Sequence, residues 1–267
     1  MLFRSLGDRT LEVRALNVSG AVALERGGIA EASYFFTRAQ EQAMQDNDMA
    51  TVGRCANNLG IIATMQGDYP RAIGAYTRAI AAYERAHYHR GIAESRHNLG
   101  ITYREQGQLD HALQAADAAV RDAEWLDDRG FKAQALAGRA EIRLVQDEPE
   151  LAIREAQEAL AIHRGLNDGV LETEDLRIVA VAQGLAGRIR DAEDMLRDVI
   201  ARATDHNRPL LVATAQRDLA GVLYRTGDRV AATAMARVAR ATFDRLGATA
   251  EIAKLDALEA ALQVAAR

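Results

Sequence analysis

The stretch ANNLGIIATMQGDYPRAI, residues 56–73, is followed forty residues later by RHNLGITYREQGQLDHAL, residues 96–113, with Asn-Leu-Gly, Gln-Gly and Ala in register. A repeat at this distance is typical of proteins that stack one small structural unit many times. The same period runs through four columns of small residues, which read Gly20, Gly60, Gly100, Ala140, Ala180, Ala220, Ala260; Gly27, Gly67, Gly107, Asp147, Gly187, Gly227; Ala32, Ala72, Ala112, Ala152, Ala192, Ala232; and Ala39, Ala79, Ala119, Ala159, Val199, Ala239. Four columns that share one period predict a repeat protein.

Each column has a physical reason in a helical hairpin. The Gly27 column ends one helix, because glycine adopts the left-handed conformation of a helix C-terminus without steric strain. Asp68 and Asp228 follow two of these glycines and can cap the next helix, and Pro70 suits that helix's first turn. The Gly20 and Ala32 columns lie on either side of the turn, where two antiparallel helices approach each other closely.

Composition supports an all-α protein. Apolar residues make up 49% of the chain but aromatic residues only 5%, and there are three prolines. Alanine, the strongest helix former, accounts for much of the difference. We therefore predict first helices near 9–26, 49–66, 89–106, 129–146, 169–186, 209–226 and 249–266, and second helices near 29–45, 69–87, 109–126, 149–166, 189–205 and 229–246.

The pattern resembles the tetratricopeptide repeat, through Leu59, Gly60, Gly67, Ala72, Tyr76 and Ala79. The 40-residue unit is longer than the usual length of about 34 residues. It is similar to the repeats of bacterial STAND-type regulators, Rap-type phosphatases and kinesin light chains. The resemblance implies a right-handed superhelical solenoid of about six repeats, as a single domain over 1–267. Its repeats would lie near 9–48, 49–88, 89–128, 129–168, 169–208 and 209–248, with a C-terminal capping helix in 249–267.

The opening residues MLFRSLGD, 1–8, occupy the columns in which other repeats finish a second helix, as FDRLG does at 243–247. Either the chain frays there or it is part of a longer protein, and we favour the longer protein.

Several chemistries are not supported by the sequence. A net charge of -5 provides no basic surface for nucleic acid, and no window is apolar enough for membrane insertion. The single cysteine, Cys55, rules out an internal disulfide and fits the cytoplasm, and we expect it to be a buried, inert thiol. His87, His89 and His97 cluster in sequence, but we interpret them as solvated side chains rather than metal ligands. We expect no enzyme activity, no cofactor and no metal.

The candidate binding residues follow from the columns. In this family the first helices line the concave side of the superhelix, and the residues expected to face inward are Asn17, Arg54, Asn57, Asn58, Ile61, His97, Asn98, Ile101 and Arg104. Asparagine is a poor helix former, but its amide suits a peptide backbone. In the long-repeat proteins, asparagines at the positions of Asn58 and Asn98 bind polypeptide. The alternative is that these asparagines bridge adjacent repeats or are solvated. Further along, Val145, Ile178 and Val181 predict an apolar lining that could bind an amphipathic helix or another part of a longer chain.

The resemblance therefore implies a scaffold that holds a partner protein or peptide in its concave groove, as the sensor or docking region of a bacterial signalling regulator. A stand-alone assembly factor or co-chaperone is the alternative. A third possibility is a module like the Rap phosphatases, in which catalysis needs an added N-terminal helical bundle.

Overall fold

The computed structural model describes residues 9–264, which form thirteen α-helices without a strand. The helices are α1 Arg9–Glu25, α2 Ile29–Gln45, α3 Met49–Met65, α4 Tyr69–Arg85, α5 His89–Glu105, α6 Leu109–Trp125, α7 Arg129–Val145, α8 Pro149–Gly165, α9 Gly169–Leu185, α10 Ile189–Asp205, α11 Pro209–Arg225, α12 Arg229–Leu246 and α13 Thr249–Val264. Odd-numbered helices are the predicted first helices and even-numbered ones the second helices. The all-α prediction is confirmed. The interpretation of residues 1–8 lies outside the described residues.

The turns within each repeat form as the glycine column predicts. At Gly67, which has a φ of 74°, the Gly67 N–H donates to the Thr64 carbonyl and the Asp68 N–H donates to the Ala63 carbonyl. This pair of hydrogen bonds is a Schellman motif, which satisfies carbonyls that the helix end leaves open. The predicted first helices ran one residue too far, because the turn begins directly after Met65.

The turns between repeats use the same motif with other residues. Asn47, His87, Asp127, Asn167 and Asn207 all have a positive φ, between 53° and 58°. Asparagine and aspartate tolerate this conformation better than most residues, whereas a histidine there is less common. Because a left-handed residue recurs every twenty residues, nearly every helix has the same length of 17 residues.

Aspartates begin several helices. The side chains of Asp68 and Asp228 accept the backbone N–H groups of Arg71 and Ala231, as predicted. Asp48, Asp128 and Asp168 cap their helices in the same way. Each cap satisfies one N–H that the helix start leaves without an intrahelical partner.

Small residues set the distance between paired helices. All members of the Ala32 and Ala39 columns are 0% exposed. A Cβ atom added to Gly60 would lie 2.6 Å from the Tyr76 ring, so the aromatic ring of α4 packs directly on the backbone of α3. The predicted close approach of the two helices is confirmed.

The chain divides into two compact units. Unit 1 extends to Leu126 and contains α1–α6, and unit 2 begins at Asp127 and contains α7–α13. The last helix, α13, packs on α12 through Leu255, which is fully buried beside Phe243 and fits the predicted capping role. A single solenoid domain over 1–267 stays a prediction. No helix between residues 9 and 264 is long and apolar enough to cross a membrane.

Candidate peptide-binding face

Consecutive first helices of each unit contact one another, in addition to contacting the second helices. These contacts join α3 with α5 in unit 1, and α7 with α9, α9 with α11 and α11 with α13 in unit 2. Consecutive second helices share no comparable contact among the described residues. We call the surface that the first helices form in each unit its first-helix face, and the predicted binding residues lie on these helices.

In unit 1, Asn57 bridges two repeats. Its side chain is only 9% exposed, and its Oδ1 accepts hydrogen bonds from Ser95 Oγ and Asn98 Nδ2, both at 3.1 Å. Asn17 has a similar role one repeat earlier, where its Oδ1 lies 3.8 Å from Cys55 Sγ. Asn57 therefore bridges adjacent repeats, as one interpretation of the sequence held. Its side chain is too buried to make extensive contact with a ligand.

Asn58 and Asn98 have a different environment. Both are half-buried, and no hydrogen bond among the described residues engages the Asn58 side chain. Asn98 uses one N–H on Asn57, which holds its amide plane, and its side chain makes no other hydrogen bond among the described residues. These two amides, one repeat apart in the same column, can exchange hydrogen bonds with a polypeptide backbone.

The neighbours of these amides on α3 and α5 are apolar and basic. Ile61 and Ile101 are half-buried and recur one repeat apart, and Arg54 is exposed. His97 is half-buried, and Arg104 binds Glu105 at 2.8 Å, so its charge is already compensated. The structure thus brings together amides, isoleucines and one exposed arginine on the first-helix face of unit 1.

The predicted apolar lining of unit 2 needs a correction. Ile178 is 4% exposed and packs in the core with Ala152 and Ala182, so it cannot line a surface. Val145 is 56% exposed and Val181 is half-buried, which leaves these two of the three at the surface. Ile178 shares the column of Asn58, which is half-buried, but its apolar side chain packs on Ala152 and Ala156 of α8.

The main feature of the unit 2 face is a ladder of ion pairs that the sequence did not reveal. Arg177 on α9 donates to Glu141 on α7 and, at 2.8 Å, to Asp218 on α11. Arg217 donates to the same Asp218 at 2.7 Å and to Glu251 on α13. We call these five residues the ion ladder. A pairing of acid and base 36 or 41 residues apart was the signal that could have found it.

The charged groups of the ion ladder shift one another's pKa values, because they are largely buried. Burial favours the protonated form of Asp218, but the charges of Arg217 and Arg177 outweigh it and lower the pKa of this carboxyl group. Burial opposes the charge of Arg177, and the acids Glu141 and Asp218 overcome that effect and raise its pKa. Arg177, Arg217 and Asp218 are therefore charged and hydrogen-bonded within unit 2.

Cys55, His87 and His89 lie in core, turn and ring-packing positions. Cys55 is 0% exposed, and burial raises the pKa of its thiol to about 12, so the predicted buried thiol is confirmed. His87 occupies a left-handed turn position, and the His89 ring meets the Trp125 ring edge-on at 4.9 Å. Between residues 9 and 264, no group of three His, Cys, Asp or Glu side chains is arranged to hold a metal ion.

Comparison with known proteins supports the repeat assignment. Residues 52–124 match the family model of the tetratricopeptide repeat, which confirms the resemblance for that segment. No curated protein matches the sequence.

Solved structures extend the similarity in fold to most of the chain. A Rap protein in complex with the competence and sporulation factor is 12% identical, with a TM-score of 0.71, covering 95% of this chain and 76% of that one. Aspartyl phosphate phosphatase F from Bacillus subtilis is 14% identical, with a TM-score of 0.72, covering 96% and 67%. The Rap conjugation gene regulator of plasmid pLS20, in complex with the Phr* peptide, is 12% identical, with a TM-score of 0.70, covering 92% and 78%. At such identities the similarity defines the fold: an all-α protein of tetratricopeptide-like repeats.

Proposed function

We propose that this chain is a protein-interaction scaffold that binds an extended polypeptide along the first-helix face of unit 1. The observation that carries the proposal is the pair of amides at Asn58 and Asn98, which lie one repeat apart and retain unused hydrogen-bonding groups. Hydrogen bonds from such amides to a ligand's backbone would not depend on the ligand's sequence, so side-chain selectivity falls to Ile61, Ile101 and Arg54.

The proposal agrees with two of the structures that are similar in fold. One of those proteins is bound to the competence and sporulation factor and another to the Phr* peptide. For the present chain we propose a protein or peptide partner, without nucleic acid or a cofactor, and a role as the sensor or docking region of a cytoplasmic bacterial signalling regulator. The first-helix face of unit 2 is a poorer candidate, because its charges already satisfy one another.

The proposal can be tested with peptides selected from a displayed random library against the purified chain. Calorimetry then compares the parent with the double variant Asn58→Ala, Asn98→Ala. Each lost hydrogen bond contributes about 0.5–1.5 kcal/mol net, so the double variant should bind roughly tenfold to a hundredfold more weakly. Gln114→Ala on α6 is the matched control, because it removes an exposed amide from a second helix.

Affinity that survives the double substitution, with the thermal melt unchanged, would move the site away from these amides. The exposed Val145 and the half-buried Val181 on unit 2 would then be the next residues to replace. An identified partner that is a subunit of a larger complex, bound by a chain without further domains, would favour an assembly factor over a signalling regulator.

A further inference from the structure

A cavity opens in unit 1 between the start of α5 and the end of α6. Its volume is about 120 Å³, and the side chains that line it are His89, Ile92, Arg96, Asp122, Trp125 and Leu126. Trp125 is the only tryptophan of the chain and is 70% exposed, although tryptophan side chains are on average well buried. The cavity therefore presents an exposed aromatic ring beside charged groups, none of which belongs to the binding face proposed above.

The cavity lies on the other side of α5 from the amides of the first-helix face. Arg96 and Asn98 are two residues apart, so a rotation of about 200° separates the directions of their side chains. Ile92, one turn before Arg96, is 8% exposed and belongs to the same core cluster as Tyr83 of α4. A ligand in the cavity would therefore not compete with a polypeptide on the first-helix face.

The ion pair in the lining keeps unused hydrogen-bonding groups. Arg96 Nη1 donates to Asp122 Oδ2 at 2.6 Å, and the two side chains are 34% and 28% exposed. Neither side chain makes a further hydrogen bond among the described residues, so other guanidinium donors and the second carboxylate oxygen stay available. In the fourth repeat the same two columns hold Leu136 and Ile162. The repeat architecture thus does not require a charged pair at these positions.

Opposite charges held side by side favour a neutral polar group in a ligand. A cation beside Asp122 would also face Arg96, and an anion beside Arg96 would face Asp122, so repulsion offsets each attraction. A hydroxyl group avoids this conflict, because it can donate to the carboxylate and accept from the guanidinium. The rings of His89 and Trp125 meet edge-on at 4.9 Å and offer aromatic surface to another ring. A phenol combines the hydroxyl and the ring.

We propose that this cavity binds a tyrosine side chain of a partner polypeptide, independently of the binding proposed for the first-helix face. The phenol ring lies against Trp125 and His89, and its hydroxyl bridges Asp122 and Arg96. A closed apolar cavity of about 150 Å³ holds one benzene molecule, so an open cavity of about 120 Å³ has room for one ring. The backbone of the ligand then stays outside, which suits a residue within a chain.

An NMR titration of the full chain tests the site, because Trp125 supplies the only indole N–H signal. The probe is the capped peptide acetyl-Gly-Tyr-Gly-amide. It should shift the indole signal to saturation with a dissociation constant on the order of a millimolar, which is typical of a ligand that binds through one side chain. The same peptide with phenylalanine should bind roughly tenfold more weakly, because it makes no hydrogen bond to the ion pair.

Three results of this titration would overturn the proposal. The first is an indole signal that does not move with the tyrosine peptide. The second is a lysine or glutamate peptide that binds as tightly as the tyrosine peptide, because the ion pair would then not select a neutral group. The third is free tyrosine that binds more tightly than the capped peptide, which would assign the cavity to a small molecule.

The double variant Arg96→Leu, Asp122→Ile tests the role of the ion pair. It installs the residues that the fourth repeat holds in these columns, so the fold should be retained, which a thermal melt checks. The variant should lose the preference for the tyrosine peptide over the phenylalanine peptide. Arg121→Leu is the control, since Arg121 is exposed on α6 outside the cavity and its loss should leave the preference unchanged. A folded double variant that keeps the preference overturns the proposed contact of the hydroxyl.

Discussion

Unit 1 and unit 2 use the same pair of positions for different chemistry. In unit 1, Asn57 binds Asn98, which lies 41 residues later; in unit 2, Arg177 binds Asp218, again 41 residues later. Both pairs join a first helix to the first helix of the next repeat. The repeat therefore determines which positions meet, whereas the side chains determine whether the meeting is a neutral amide contact or a buried ion pair.

The difference has consequences for binding. Asn58 and Asn98 keep donors and acceptors that no other described residue uses, so the binding that we propose for this face would not first disrupt internal contacts. The ion ladder of unit 2 already satisfies its charges, so a charged ligand would have to displace a partly buried partner. Polar residues on a repeat surface thus indicate binding only where their hydrogen-bonding groups are not used by the next repeat.

The largest expected effect comes from breaking the ion ladder. Arg177→Met should destabilise the protein by about 3–5 kcal/mol, because Glu141 and Asp218 lose their shared cation in a site where Arg177 is 13% exposed. Urea denaturation measures the change. Arg188→Met is the control, since Arg188 pairs with Glu150 at the surface and should change stability by less than about 1 kcal/mol.

The three members of the ion ladder that meet at Arg177 can also be replaced together. Substituting Glu141→Leu, Arg177→Met and Asp218→Leu together should recover most of the stability that Arg177→Met removes, because no unpaired ion remains among these positions. A triple variant as unstable as the single one would mean that packing, rather than charge, determines the loss.

A smaller effect is expected at the amide pair of unit 1. Asn57→Ala should destabilise the fold by about 1–3 kcal/mol, because the Ser95 hydroxyl, which is 0% exposed, loses its acceptor. Asn58→Ala should leave stability equal or slightly higher, since alanine is the better helix former and no internal hydrogen bond is lost. Thermal melts of the two variants compare them directly. Equal melting temperatures would contradict the separation of a bridging residue from a binding residue.

The smallest expected effect is a dependence of stability on pH that arises in unit 2. His163 and Asp175 pair at 2.6 Å in the core between α8 and α9. The corresponding positions between α2 and α3 are the uncharged Ala43 and Cys55. Burial opposes the charge of His163, but the hydrogen bond and charge of Asp175 outweigh it and raise its pKa; burial raises the pKa of Asp175 as well.

Both shifts mean that the folded protein holds protons more tightly than the unfolded chain. The stability from His163 is therefore fully present below the ordinary histidine pKa of 6.5 and is lost as the pH rises through the higher folded value. Denaturation at a series of pH values should show this fall. The double variant His163→Gln, Asp175→Asn should remove it, whereas His111→Gln on unit 1 should retain it. A slope that survives the double variant would assign the pH dependence to other groups.

The sequence predicted the structure correctly wherever the backbone geometry or the space between helices allows only one type of residue. Glycine recurs at Gly67 because the turn needs a positive φ, and alanine recurs at Ala112 because the helices leave no room for a larger side chain. The turns at Asn47 and His87 have the same geometry with other residues. The turn at Asn47 was predicted from the helix bounds, whereas the helix before His87 was predicted to run to residue 87 and ends at Arg85.

The candidate site was predicted only in part. Its helices were correct, and Asn58, Asn98, Ile61 and Ile101 are partly exposed on them. Their role in binding stays a prediction. Asn57 was grouped with Asn58 because adjacent asparagines look alike in a sequence, yet a rotation of about 100° per residue turns one toward the next repeat. Ile178 was placed at the surface for a different reason: it shares the column of Asn58, but as an isoleucine it packs in the core.

By itself, the sequence determined the repeat, its period, the helix pairs and the small residues that set the distance between them. These features depend on local rules: which residue ends a helix, which begins one and which lets two backbones approach. Tertiary structure decided which polar groups are already used. The partners of Asn57 and Arg177 lie 38 to 41 residues away, and only packing of one repeat on the next brings them within hydrogen-bonding distance.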